Sequence, residues 1–161
     1  MSVTAPAGFR AAGVRAGLKA SGRPDLALVV NDGPLDVAAG VFTTNRVVAA
    51  PVVWSRAAIA DGGARAVILN SGSANACTGA RGVADAAATA EHLAGLLDAD
   101  AGEILVCSTG VIGVPIDMPV LLEGAGAAMR VLAASQRAGH DAAEAIMTTD
   151  TVPKEDAVTV T

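Results

Sequence analysis

ARAVILNSGSANACTG, residues 64–79, sets a short apolar run ahead of ten residues of asparagine, serine, threonine, alanine, cysteine and glycine that carry no charge. The run 64–69 reads as a buried strand, and the segment after it as a polar turn at the strand's end, where α/β proteins place loops that touch ligands. The arrangement recurs: EILVC at 103–107 is a second short strand opening onto CSTGVIG at 107–113. Between the two, Val83, Ala87, Ala90, Leu93, Ala94 and Leu97 recur at helical spacing. Strand, helix and strand in this order place the chain among mixed α/β domains.

Downstream, Met118, Leu121, Leu122, Ala125, Met129 and Leu132 predict a second amphipathic helix, with Asp117 as its N-cap. A third, shorter helix is expected over 141–147, and the alternating AVTVT at 157–161 reads as a strand. Upstream, DLALVVN at 25–31 predicts a strand ended by the Asn31–Asp32–Gly33–Pro34 turn. Residues 37–44 and 47–54 read as two further β-rich runs joined by a turn at 43–46, and the opening to Gly22 as a strand edge followed by a turn. The expected organisation is one domain over 1–161, α/β mixed (α+β). AVTVT ends without a turn signal, so the chain is expected to be cut within an element.

The chain has 161 residues, 52% of them hydrophobic, and Phe9, Phe42 and Trp54 as its whole aromatic complement. Its core must therefore come mainly from Val, Leu, Ile and Ala, which bury less area per residue, so part of its stability is expected from further chain or a partner. Eleven basic residues, scattered singly against sixteen acidic ones, give a net charge of -5 and argue against nucleic acid. The first ten residues lack a signal-peptide profile, and no apolar run reaches the roughly 18 residues of a membrane span, so a cytoplasmic protein without a membrane partner is expected. Cys77 and Cys107 form no close pair and are expected to be free, and with His92 and His140 they are too dispersed for a zinc site, so no metal is assigned. No G-x-S-x-G elbow or phosphate loop occurs, neither histidine has a partner suggested by spacing, and GAGAAM at 124–129 sits inside a helical pattern as small-residue packing.

Three segments have the makings of chemistry. In CSTGVIG, the Thr109 hydroxyl and a Gly110 N–H supply two donors for the oxyanion of an acyl-transfer intermediate, although Ser108, Thr109 and Gly110 also suit a plain strand-to-helix turn. In NSGSANACTG, Asn70 and Asn75 suit a loop fixed by side-chain hydrogen bonds near a ligand, or an Asx-rich surface turn. In AIMTTDT at 145–151, Thr148, Thr149, Asp150 and Thr151 suit the polar end of an amino acid, or a helix stop before Pro153.

Taken together, TAPAGFRAAGVRAGLKASG at 4–22, DLALVVNDGP, AGVFTTNRVVAAPV at 39–52, AVILNSGSANACTG, VCSTGVIG and AIMTTDTVPKE at 145–155 resemble the bifunctional ornithine acetyltransferase / N-acetylglutamate synthase family of arginine biosynthesis. The resemblance runs nearly end to end. It implies a layered α/β/β/α sandwich, shared with the self-processing aminopeptidases, of which this chain is the N-terminal, α-chain portion. It also implies a precursor that cleaves itself at an Ala-Thr bond, freeing a threonine that carries acetyl from N-acetylornithine to glutamate in a ping-pong transfer. No cofactor is implied; some members also accept acetyl-CoA as donor, and the family precedent is an α2β2 tetramer. Carried over by position, Thr109 and Gly110 match the oxyanion-stabilising pair and Thr148 a substrate-binding position, while Asn70, Asn75 and Gly79 fall in a loop supporting the site. The chain departs from the pattern in lacking the scissile Ala-Thr bond: Ala88–Thr89 lies inside a predicted helix. The expectation is a chain inactive without its β chain. A self-processing aminopeptidase and a non-catalytic module completing a partner chain are the alternatives.

Overall fold

The computed structural model describes residues 2–160. Four strands form one sheet in the order β1 (Phe9–Val14), β2 (Leu26–Asn31), β3 (Ala66–Ser73) and β4 (Ile104–Val111). β1–β2 and β2–β3 are antiparallel, and β3–β4 is parallel in the register Ala66–Ile104 through Ser73–Val111. A parallel pair needs a crossover, supplied here by α2 (Gly79–Leu97). With α1 (Ala50–Ala58), α3 (Met118–Val131) and α4 (Gln136–Ala145), the chain is mixed α+β, as its sequence implies.

Helices α1, α2 and α3 lie on one face of the sheet, α1 against β4 and α3 against β1 and β2. The core between them is aliphatic: Leu26, Leu28, Val30, Ile68, Ile104 and Val106 meet Ala90, Leu93, Leu121, Ala125 and Ala128. Alanines at the helix contacts let the backbones approach closely. Gly124, in the GAGAAM stretch, serves the same purpose, since a side chain there would run into Ala16. On the opposite face α4 packs on β1 and β2 through Ala11, Ala27, Ala142 and Ala145, while Val67, Leu69 and Leu105 on β3 and β4 stay partly open.

The run at 47–54 is not a strand. From Ala50 it is α1, and 38–49 adopts no regular element; Val37 makes only a single bridge, to Gly63. Pro51 supplies a φ suited to the first helical turn, whatever the β preference of Val52 and Val53. What fixes the outcome is the open edge of β4. Ser55 Oγ donates to the Val106 carbonyl at 2.7 Å and accepts from the Val106 N–H at 2.9 Å, and Trp54 Nε1 donates to the Ile104 carbonyl at 2.9 Å. One helix face thus substitutes for a fifth strand, and the edge is covered.

Four other expectations need correction. β3 and β4 run on to Ser73 and Val111, so Asn70, Thr109 and Gly110 stand within paired strands and not in turns after them, because the polar residues continue the parallel ladder. The opening is a full strand, β1, paired along β2; the third helix begins five residues early, at Gln136, capped by Ser135, so His140 lies within it; and 157–160 form no strand. Thr161, the last residue of the expected tail strand, lies outside the described residues. Asp117 caps α3 as expected, accepting from Val120 N. Replacing Ser55 with alanine strands the buried N–H and C=O of Val106, so urea unfolding of Ser55→Ala should show a loss of about 1–3 kcal/mol, whereas Ser55→Thr should retain most of it.

Candidate active-site cleft

β3 and β4 end side by side, and the close approach of their glycines shapes the space beyond them. Gly72 and Gly110 are register partners at φ +120° and +135°, values that L side chains rarely adopt. A Cβ on Gly110 would come within 2.6 Å of the Gly72 carbonyl oxygen, and one on Gly72 within 2.8 Å of the Leu18 carbonyl oxygen. Only glycine at both positions lets the loop at 17–21, the end of β3 and the end of β4 stack this closely. The result is a cleft of about 670 Å³ lined by Leu18, Lys19, Ala20, Ser21, Gly72, Thr109, Gly110, Val111, Thr148 and Thr149.

Thr109 and Gly110, adjacent on β4, and Thr148, far from them in the sequence, therefore face the same space, and all three are exposed. Asp150 does not join them. It pairs with Lys154, whose hydrogen bond holds its carboxyl below the usual range, and it lines a separate, smaller hollow.

Asn70, Asn75 and Gly79 do not line the cleft. Asn70 is buried within β3 and donates from Nδ2 to the Ser73 carbonyl at 3.0 Å, tying down the last residues of the strand. Asn75, also buried and at φ +46°, accepts from the Thr78 hydroxyl at 2.7 Å and donates to the Gly82 carbonyl at 2.9 Å, while its own carbonyl accepts from Ala50 N. It knots the loop to the starts of α1 and α2. Gly79 begins α2 with open space around it. The loop in turn pins the segment after β4: Ala74 N donates to the Val111 carbonyl, Gly113 N to the Ala76 carbonyl, and Ser73 Oγ to the Val114 carbonyl.

Two residues of this region carry no recognised motif. Asp25 is fully buried, and its carboxylate accepts from the N–H groups of Ala16 at 2.7 Å, Gly17 at 3.1 Å and Lys19 at 2.9 Å. Lys19 lines the cleft and donates from Nζ to the carbonyls of Pro24 at 3.0 Å and Met147 at 2.5 Å. Burial lowers its pKa, opposed by the charge of Asp25. The stretch LKASG signals only a turn, and the Pro–Asp step before an apolar strand is the single trace of the buried carboxylate in the sequence.

The segment carrying Thr148 and Thr149 is held on its far side by His140, whose Nδ1 lies 2.6 Å from Glu155 Oε2. That hydrogen bond raises the His140 pKa above the usual 6.5. The contact is on the surface. Both cysteines are free, and among the described residues no group of three or more His, Cys, Asp or Glu side chains comes together. Among the same residues no helix is long and apolar enough to cross a membrane.

The ArgJ family model matches residues 10–161. The arginine biosynthesis bifunctional protein ArgJ of Thermobifida fusca is 62% identical over 154 residues, and that of Bifidobacterium longum 59% over 155. Each alignment covers 96% of this chain and 40% of the relative, so the chain spans well under half the length of the curated proteins it matches. Among solved structures, ornithine acetyltransferase complexed with ornithine from Mycobacterium tuberculosis is 55% identical with a TM-score of 0.93, over 94% of this chain and 81% of that one. The arginine biosynthesis bifunctional protein of Bacillus halodurans is 39% identical with a TM-score of 0.86, over 94% and 78%.

Two measurements check this geometry. Asp25→Ala leaves three amides without their acceptor, and thermal or urea unfolding should register a loss of about 3 kcal/mol or more. For His140, a raised folded-state pKa means that the Glu155 contact stabilises the fold fully below pH 6.5 and that this contribution fades as pH rises through the folded pKa. Proton NMR should place the His140 midpoint above 6.5, and Glu155→Gln should bring it down.

Proposed function

This chain belongs to the ArgJ family, and we propose that it forms the N-terminal part of an ornithine acetyltransferase that moves acetyl from N-acetylornithine to glutamate. The observation that carries this reading is the convergence of Thr109, Gly110 and Thr148 on one cleft. In the first half-reaction a threonine hydroxyl attacks the acetyl carbonyl of N-acetylornithine; the C–N bond breaks and ornithine leaves with the proton. In the second, the glutamate amine attacks the acetyl-threonine ester, and the threonine leaves as its hydroxyl. Each half passes through an oxyanion, which the Thr109 hydroxyl and Gly110 N–H stabilise by hydrogen bonds stronger in the transition state than in the ground state. Thr148 contacts the amino-acid portion of the substrate, and Asn70, Asn75 and Gly79 support the bend that aims the donors.

The nucleophile comes from outside this chain. Among the described residues the cleft presents threonines but no His, Asp or Glu to activate one, and its single lysine is bonded to two carbonyls. An N-terminal threonine, whose own amine serves as base, meets that need. The part of the sheet face beyond α4, with Val67, Leu69 and Leu105, and the exposed Leu35, Val37, Val41 and Val47 give the remainder of the protein an apolar seat. The assembly is read as α2β2 and cytoplasmic, with no cofactor, and with acetyl-CoA as an additional donor.

In an assay with N-acetylornithine and glutamate, the full-length gene product should turn over and the isolated 161-residue chain should not; turnover by the isolated chain contradicts the reading. In the full-length protein, Thr109→Val should lower kcat by roughly 100-fold or more, with Thr109→Ser retaining much of the rate.

A further inference from the structure

Thr148 stands on no regular element. It comes after α4 and a short turn and is exposed, yet its position relative to the ends of β3 and β4 determines whether the cleft is one site. Met147, immediately before it, is buried and receives the hydrogen bond from Lys19 Nζ, 128 residues away in sequence. The same ammonium donates to the Pro24 carbonyl at the mouth of β2. A lysine side chain is long and flexible, and it holds one geometry only where its N–H groups find acceptors. Here it finds two, and the backbone of Lys19 is itself fixed through its N–H to the buried Asp25 carboxylate. Among the described residues no carboxylate forms an ion pair with the ammonium, so these main-chain carbonyls are what hold it.

We propose that Lys19 is a positioning residue: its ammonium clasps the Met147 carbonyl to the Pro24 carbonyl and thereby holds Thr148 opposite Thr109 and Gly110, setting the fit of the cleft to the amino-acid portion of its substrate. The inference rests on the assignment of Thr148 to substrate binding. It assigns Lys19 no contact with the reacting atoms. Loss of the clasp frees Thr148 to move away from the cleft, so the fault appears in substrate binding before it appears in the chemical step.

The test uses the full-length gene product and four variants: Lys19→Met, Lys19→Arg, Thr148→Val, and Lys19→Met combined with Thr148→Val. For each, kcat and KM for N-acetylornithine are measured, together with amide hydrogen exchange over residues 146–150. Lys19→Met should raise KM about five-fold or more with kcat changed less than about two-fold, and exchange over 146–150 should accelerate while the strands keep their protection. Arginine, which has the reach and the donors, should restore most of both. The double variant should be no worse than the more damaged single one, because both act on one contact. A folded Lys19→Met with unaltered KM, or a double variant whose effects add, overturns the clasp. Should Lys19→Met fail to fold, Lys19→Arg decides: retained protection over 146–150 with KM near that of the parent supports the clasp, and lost protection with unaltered KM overturns it. Unaltered KM in Thr148→Val removes the substrate role of Thr148 and the clasp with it. Raised KM in Thr148→Val without an effect of Lys19→Met removes the clasp alone.

Discussion

The buried carboxylate of Asp25 organises the end of the sheet where the cleft lies. Its side chain gathers the N–H groups of Ala16, Gly17 and Lys19, its own N–H donates to Val14, and its carbonyl accepts from Ser71 N at 2.8 Å. One residue thereby joins β1, β2, β3 and the loop at 15–19. A charge removed from water is tolerated only when its lone pairs are matched, and three amides match them here. Without that loop there is no wall to the cleft and no fixed starting point for Lys19.

Glycine completes the arrangement from the other side. The Gly72–Gly110 pair allows main chains to come together where any side chain would hold them apart, and Thr109, next to it on β4, is exposed at the strand's end. Asn70 ties down the end of β3, and Asn75 holds the loop that follows through hydrogen bonds with Thr78 and Gly82. The polar segments at the cleft are thus held by hydrogen bonds and by close glycine contacts, above a core of aliphatic side chains and alanine.

The legible parts of the sequence are those governed by local pattern. Periodicity locates α2 and α3, the Asp117 cap locates the start of α3, and short apolar runs locate β2, β3 and β4. The run at 47–54 misleads because its β-branched residues report propensity, while its conformation is decided by the edge of β4 and the double hydrogen bond of Ser55, a contact 51 residues away. Resemblance to a family singles out Thr109, Gly110 and Thr148, and the fold brings them to one cleft. Lys19 and Asp25 are hidden for a different reason: each works through main-chain groups, which leave no residue type for a motif to capture. His140 looks partnerless in the sequence because its partner Glu155 lies beyond the end of its helix.

As proposed, Thr109 and Gly110 donate to the oxygen of an acetyl group held on a threonine supplied from outside this chain. Infrared difference spectroscopy of the full-length protein acylated with carbonyl-labelled acetyl reads that interaction directly, since donated hydrogen bonds lower the stretching frequency of an ester carbonyl. That donation requires a lowered band in the parent acyl-enzyme that moves up when Thr109 is replaced by valine. A band at the frequency of a solvated ester, identical in the two proteins, would contradict it.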